Sequence, residues 1–384
     1  MLDLFYNGIL LSLFVIWLVG ARSSRLWQLV SFVRLHSYWL LIILWAIFLT
    51  FGAAYFLHFN QLTQIHDIPY AVNAAVVSED SGVNPYVYNV VPRFETRYTQ
   101  PLSWTFGPYN YLSLDLVVYW AFNEFTDFLG MPIWFVATNL LFSAVAFTLL
   151  WKLLKSPLRY YVPIAGTVML FYSFDNASLT LLLMVSSLYL YQRLKTNSGS
   201  VAIIVMGLAV MTKIYAIIPF CVLVLYELQR WSCTRDLRLF LRTSMSVAAS
   251  GIIATGLMLP FGIWHVIDAA VLFHSSVASR LGTSSGGTLL TQFPINSAEF
   301  TVLGIVLVTA AMIASLRVKN LNDRMMLVSM VFLLVVVKSS QALVVLPGVF
   351  LPLKLLDLMG PKPLSGRKAS GSGSRIRMFL GLED

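Results

Sequence analysis

The sequence is poor in charge. Lys and Arg number 26 and Asp and Glu 17, together 11% of 384 residues, against roughly 25% in an ordinary soluble domain. That shortage excludes a coiled coil and an ordinary soluble enzyme, and the high hydrophobicity beside it excludes a disordered chain. Cysteine is nearly absent. Cys221 and Cys233 are the only two, too few for a disulfide framework. Histidine is scarce as well, and His66, His265 and His274 show no metal-ligand spacing. The sequence therefore calls for no metal and no cofactor. A net charge of +9 is not a nucleic-acid signal here, because the cations stand in short clusters between apolar runs.

What the sequence has is apolar length. Hydrophobic residues make up 58% of the chain, and the mean hydropathy is +0.78. Apolar stretches near 20 residues read as membrane spans, and only helices or closed barrels satisfy their own backbone there. The expected fold is an all-α polytopic membrane bundle. Candidate spans are 5–20, 38–57, 107–123, 132–151, 160–174, 177–192, 201–229, 243–264, 299–316, 325–337 and 341–357. The first is expected to be a span and not a cleaved signal, because no Lys or Arg precedes it while Arg22, Arg25 and Arg34 follow. Its N-terminus is expected outside.

Further basic clusters fall at Lys152/Lys155/Arg159, Arg193/Lys195, Arg230/Arg235/Arg238/Arg242 and Arg317/Lys319/Arg324. All read as cytoplasmic. So does the Gly/Ser-rich basic tail over 358–384. The expected organisation is one transmembrane domain over 1–357 followed by that flexible tail. Two parity problems arise. Segment 201–229 has basic clusters at both ends, with Lys213 and Pro219 inside it. A hairpin of two short half-helices, with Lys213 near the turn, satisfies both facts, since non-helical backbone is tolerated at depth where it lines a cavity. Between the clusters at 22–34 and 152–159 lie three spans, an odd number, so either 107–123 does not cross or the second cluster breaks the rule. No internal repeat is visible, which speaks against an inverted-repeat transporter.

Two long polar segments interrupt the pattern, 58–106 and 265–298. Both belong on the outer side, and long loops are where binding and catalysis concentrate. The first reads His66-Asp67-Ile68-Pro69-Tyr70, then Asn73-Ala74-Ala75, Gly82-Val83-Asn84-Pro85-Tyr86 and Gly107-Pro108-Tyr109-Asn110-Tyr111. Asp67 follows a span by about ten residues, which puts it near the membrane–water interface. A carboxylate there can act as general base on a hydroxyl. It can equally be a solvated loop acid or a helix N-cap. The same choice applies to Glu79 and Asp80, read as solvated or capping residues, and to Asp115, which is either catalytic or the cap of a broken helix. Asp175 lies in a short turn between two spans.

These residues resemble those of the GT-C glycosyltransferases. The nearest likeness is to the polytopic mannosyl- and arabinosyltransferases of glycosyltransferase family 87. It is carried by Asp67, by Tyr70 three residues on, by the small-residue helix after it, by the Gly-x-x-Pro-Tyr turn ending at Tyr86 and by the Gly-Pro-Tyr turn at Tyr109. Met211-Thr212-Lys213 resembles the family's Gly-rich helix ending in Lys. Lys338-Ser339-Ser340-Gln341 resembles its Lys-x-x-Pro-Gln-Tyr motif without the Pro and the Tyr.

The resemblance implies a GT-C bundle of roughly 10–12 spans with a catalytic first outer loop. It implies inverting transfer of a hexose, mannose first, or a pentose. The donor would be a polyprenyl-phosphate sugar and the acceptor a glycolipid or glycan, at the outer face of the cell membrane. Asp67 matches the family's base. Inversion needs one base and no carboxylate nucleophile. The departing lipid phosphate needs cations, for which Lys213, Arg280, Lys338 and His274 are candidates. Tyr70, Asn84, Tyr86, Tyr109, Asp115 and Asp175 would shape the pocket. The protein is expected to be a monomer that binds no nucleic acid. A different class, a secondary transporter or lipid flippase, would use Asp115, Lys213 and Lys338 as buried charges along its path. A GT-C relative that only scaffolds a partner is a third possibility.

Overall fold

An apolar chain hydrogen-bonds its backbone most economically within single helices, and this one does. The computed structural model describes residues 68–88, 108–126, 133–153, 177–194, 197–272 and 297–335. Of these, 85% are helical and none lies in a strand. The candidate spans 5–20, 38–57, 160–174 and 341–357 and the tail lie outside the described residues.

The first long polar segment contains α1 (Ile68–Asp80). It is followed by α2 (Ser113–Thr126) and α3 (Ile133–Leu153). Next come α4 (Ala177–Arg193), α5 (Ser198–Val210), α6 (Ile217–Thr234) and α7 (Leu237–Met258). After α7 the chain makes a 3₁₀ turn (Leu259–Phe261), the short α8 (Ile263–Ile267) and a wide π turn (Asp268–Leu272). The second polar segment thus begins helical. The described residues end with α9 (Ser297–Ser315) and α10 (Leu321–Val335).

Segment 201–229 reverses at Lys213 as expected, but its arms are not two half-helices: the second, Ile214–Thr234, is 21 residues long. Helix α5 stops where Thr212 turns its hydroxyl back to the Ala209 carbonyl at 2.6 Å, a local bond that competes with helix continuation. Lys213 is extended (φ −138°, ψ 126°). A 3₁₀ turn over Ile214–Ala216 then leads into α6. Pro219 sits in the first turn of α6, where its missing N–H has no intrahelical acceptor to lose. The arms run antiparallel. A Cβ on Gly199 would lie 2.9 Å from the Glu227 carboxylate, and one on Gly207 would lie 3.5 Å from the Phe220 ring. Both pairs are placed symmetrically about Lys213.

Small residues set the close approaches. Gly207 lets α5 lie directly on Ser250 of α7. The Ser187 hydroxyl donates to the Ala202 carbonyl at 2.7 Å, joining α4 to α5. Ser143 and Ser178 bond at 3.0 Å between α3 and α4. Such contacts let backbones meet where apolar burial alone gives little direction. One core fills the space between α3, α4, α5, α6 and α10 with Met184, Leu188, Ile203, Met206, Leu223, Met326 and Met330. A second core, around Leu116, Tyr119 and Phe135, joins α1 and α2 to the start of α3.

The two ends of the bundle differ. At one end Arg193 donates to the Lys152 carbonyl at 3.0 Å. There Tyr191 and Arg230 both donate to the buried Glu227, at 2.7 and 2.8 Å. Gln229 reaches the Leu316 carbonyl, and Arg324 stacks over Tyr226 at 4.9 Å. The clusters at Arg193, Arg230–Arg242 and Arg317–Arg324 therefore share one end with Lys152, as their common reading requires. Lys155, Arg159 and Lys195 lie outside the described residues. Lys213 and residues 82–88 of the first polar segment occupy the opposite end. Among the described residues two helices, Ile214–Thr234 and Leu237–Phe261, are long and apolar enough to cross a membrane. Helix α2 has 14 residues, about 21 Å at 1.5 Å per residue. That is short of a ~30 Å hydrocarbon core.

Gly207→Ala is expected to separate α5 from α7, because its Cβ would meet Ser250 Oγ at 2.7 Å and Cβ at 2.8 Å. The cost should be about 1–3 kcal/mol. Gly251→Ala, whose Cβ meets nothing within 4 Å, should stay within about 0.5 kcal/mol. Thermal unfolding of the detergent-purified variants checks both.

Candidate functional site

The end of the bundle away from the arginines is built from two proline–tyrosine turns. Helix α1 terminates at Gly82, whose positive φ of 70° suits a residue without a Cβ. Its N–H bonds the Glu79 carbonyl at 2.9 Å, and the Val83 N–H bonds Ser78 at 2.8 Å. The chain then turns at Asn84-Pro85-Tyr86. The Asn84 side-chain oxygen accepts from the Tyr86 N–H at 3.0 Å, a local turn typical of Asn. The Asn84 amide donates to the Phe261 carbonyl at 2.6 Å. One residue thereby shapes the first loop and fastens it to the 3₁₀ turn that follows α7.

The second turn is pinned to the first. The Tyr109 N–H donates to the Pro85 carbonyl at 2.8 Å. The two tyrosine rings then meet edge to face, 5.7 Å apart at 72°. Tyr86 also packs on Phe261 at 5.3 Å, and Tyr109 on Tyr111 at 5.4 Å. Arrangements of this kind are each worth about 0.5–1.5 kcal/mol beyond area.

Charge is placed within this aromatic frame. Asp115 lies in the first turn of α2, where the helix dipole favours a carboxylate. It is fully buried and accepts from the Tyr109 hydroxyl at 2.6 Å. The Leu114 N–H reaches across to the Met211 carbonyl at 3.2 Å, so the start of α2 is tied to the tip of the α5–α6 hairpin. At that tip the Lys213 ammonium stands 4.7 Å over the Tyr111 ring. Thr180 and Thr212 share a 2.9 Å hydrogen bond and hold α4 to the same tip. The result is a continuous sequence of contacts from Lys213 through Tyr111 and Tyr109 to Asp115, with Tyr86 beside it.

The tyrosines are kept protonated. Burial first, and then the charges of Asp115 and Glu79, push the Tyr86 hydroxyl well above the usual tyrosine range. It stays an O–H donor. Among the described residues the Tyr86 hydroxyl, the Ser113 hydroxyl and the Asn73 side-chain oxygen are buried without a hydrogen-bond partner. Leaving such groups unmade is costly, so this end of the bundle holds unused hydrogen-bonding capacity. Asp80 is an exposed residue that accepts from Trp120 Nε1 at 2.7 Å, in keeping with a surface role. His265 and Asp268 are exposed.

Of the residues singled out in the sequence, Asn84, Tyr86, Tyr109, Asp115 and Lys213 come together here. Asp67, Asp175, His274, Arg280, Lys338 and the side chain of Tyr70 lie outside the described residues. Tyr111 was read only as part of the Gly-Pro-Tyr segment and given no role, and Ser113 and Phe261 were not singled out. Tyr111 carried a faint signal, standing four residues before Asp115 in the Gly-Pro-Tyr segment. Phe261 contributes through its carbonyl, which no residue pattern announces. Among the described residues no group of three or more His, Cys, Asp or Glu could hold a metal. No family model, curated protein or solved structure matches this chain.

Tyr109→Phe is expected to cost about 1–3 kcal/mol, because it removes the donor to a buried carboxylate. Tyr88→Phe, at a position 60% exposed, should be silent within about 0.5 kcal/mol. Denaturation midpoints of the two variants in the same detergent check this.

Proposed function

We propose that this chain is a polytopic membrane protein and an inverting GT-C-type glycosyltransferase that uses a polyprenyl-phosphate sugar. The observation that carries the reading is the position of Lys213. Every other Lys and Arg among the described residues lies toward the opposite end of the bundle. Lys213 alone is buried in the loop end, against Tyr111 and near the Tyr109–Asp115 pair. A buried ammonium is costly unless it serves a partner or a ligand. A lipid phosphate is such a ligand, and its charge grows as the sugar departs.

In this reading Asp67, one residue before α1, takes the proton from the acceptor hydroxyl. The acceptor oxygen attacks the anomeric carbon, the bond from that carbon to the phosphate oxygen breaks, and the lipid phosphate leaves. Lys213, with Arg280, Lys338 and His274, holds the phosphate. Tyr86, Tyr109, Asn84, Tyr70 and Asp175 surround the sugar. Asp115 orients Tyr109 and balances Lys213. The acceptor is a glycolipid or glycan on the outer face. The clustering of arginines at the other end supports a cytoplasmic placement for that end.

The test uses purified protein in nanodiscs with a polyprenyl-phosphate mannose donor and a glycolipid acceptor. Asp67→Asn should abolish turnover, and Lys213→Met should lower it by about 10²–10³-fold. Full turnover in a folded Asp67→Asn variant removes the base assignment. Proton-coupled uptake into liposomes with no transfer product would put the transporter reading in its place.

A further inference from the structure

We propose that the corner between α6 and α7 is a docking site for an anionic phospholipid of the leaflet at the arginine end. The corner is sharply made. Arg235 ends α6 in the left-handed conformation (φ 57°), its N–H bonded to the Trp231 carbonyl at 2.7 Å. Asp236 then caps α7 by accepting from the Arg238 N–H at 3.0 Å. Arg238 and Arg242 follow one turn apart on one face of α7. Both are exposed, and among the described residues neither side chain has a hydrogen bond, an ion pair or a ring contact.

The same face continues as an apolar stripe. Counting from Arg238, the helix repeat brings Arg242, Met245, Ile252, Gly256 and Leu259 into line. Met245, Ile252 and Leu259 are 70%, 72% and 67% exposed. A Cβ on Gly256 would meet nothing within 4 Å, so the stripe has a shallow open place. From Arg242 to Ile252 the helix rises about 15 Å. That is half of a ~30 Å hydrocarbon core, the depth of one leaflet. Two guanidinium forks at the head of an apolar track one leaflet deep fit a phosphate with an acyl chain beneath it.

Charge chooses between this occupant and a second copy of the chain. Two copies inserted in one membrane share one orientation. Pairing them across this face by a two-fold axis sets Arg238 and Arg242 against their own counterparts, and like charges repel. An anionic headgroup neutralises them instead.

The inference rests on the reading of α7 as a membrane span and is independent of the transfer reaction. The protein is reconstituted in phosphatidylcholine nanodiscs, and retention of labelled phosphatidylglycerol is compared with that of labelled phosphatidylcholine. Arg238→Gln/Arg242→Gln should lower phosphatidylglycerol retention by about 30-fold and leave phosphatidylcholine unchanged. Arg238→Lys/Arg242→Lys keeps the charge and the topology but loses the forked contact, and should show an intermediate loss. Should the Gln variant fail to insert, the Lys variant decides. Wild-type retention in the variant that inserts overturns the proposal, and so does equal loss of both lipids. A dimer that disperses in the Gln variant overturns it in favour of the second copy. Release of the wild-type chain from vesicles by a carbonate wash overturns the membrane reading itself, before any variant is made.

Discussion

A lysine inside a long apolar run cannot be left in a straight helix among apolar neighbours, and the arrangement of this protein follows from how Lys213 is accommodated. The helix stops at Met211, the residue takes an extended conformation, and the chain returns as α6. Stopping the helix frees the Met211 carbonyl. That carbonyl accepts from Leu114 and so fixes where α2 begins. The beginning of α2 in turn sets Asp115 under Tyr109 and Tyr111 beneath the ammonium. Favourable cation–aromatic contact with Tyr111, of about 0.5–2 kcal/mol, offsets part of the desolvation of the charge.

The other charged residues are handled at the opposite end by a different device. Glu227 is buried on α6, but it receives hydrogen bonds from both Tyr191 and Arg230. Gly199 makes room for its carboxylate. Here the pair is internally satisfied and reads as structural. Unmatched buried polar atoms occur at both ends among the described residues, Gln229, Arg324 and Ser329 at the arginine end and Tyr86, Ser113 and Asn73 at the loop end, but only the loop end sets them beside a lysine and a carboxylate within an aromatic frame. Satisfied polar groups stabilise a fold, whereas buried groups left unmatched point to something else that meets them.

Much of the architecture was legible in the residues. The hairpin at Lys213 followed from two basic clusters flanking one apolar segment, a conflict that only a reversal of the chain removes. Helices near 132–151, 177–192, 243–264, 299–316 and 325–337 followed from uninterrupted apolar length. The boundary of α2 did not. The segment from Gly107 reads as apolar, yet the helix starts at Ser113, since Pro108 and the bond from Tyr109 to Pro85 hold the preceding residues in a turn. A pairing between residues 24 positions apart leaves no trace in local hydropathy.

The sequence by itself determined that the chain is apolar and its described part helical, where it reverses, and which few charges stand apart from the basic clusters. Composition and periodicity carry that information because each residue contributes to it separately. Only the tertiary structure decided which of those charges meet. Asn84 joins Phe261 across 177 positions, and Lys213 reaches Tyr111 across the bundle. Contacts of that kind depend on how helix ends are held against one another, by carbonyls and by glycines that admit a neighbour, and these are properties of packing that no single stretch of residues contains.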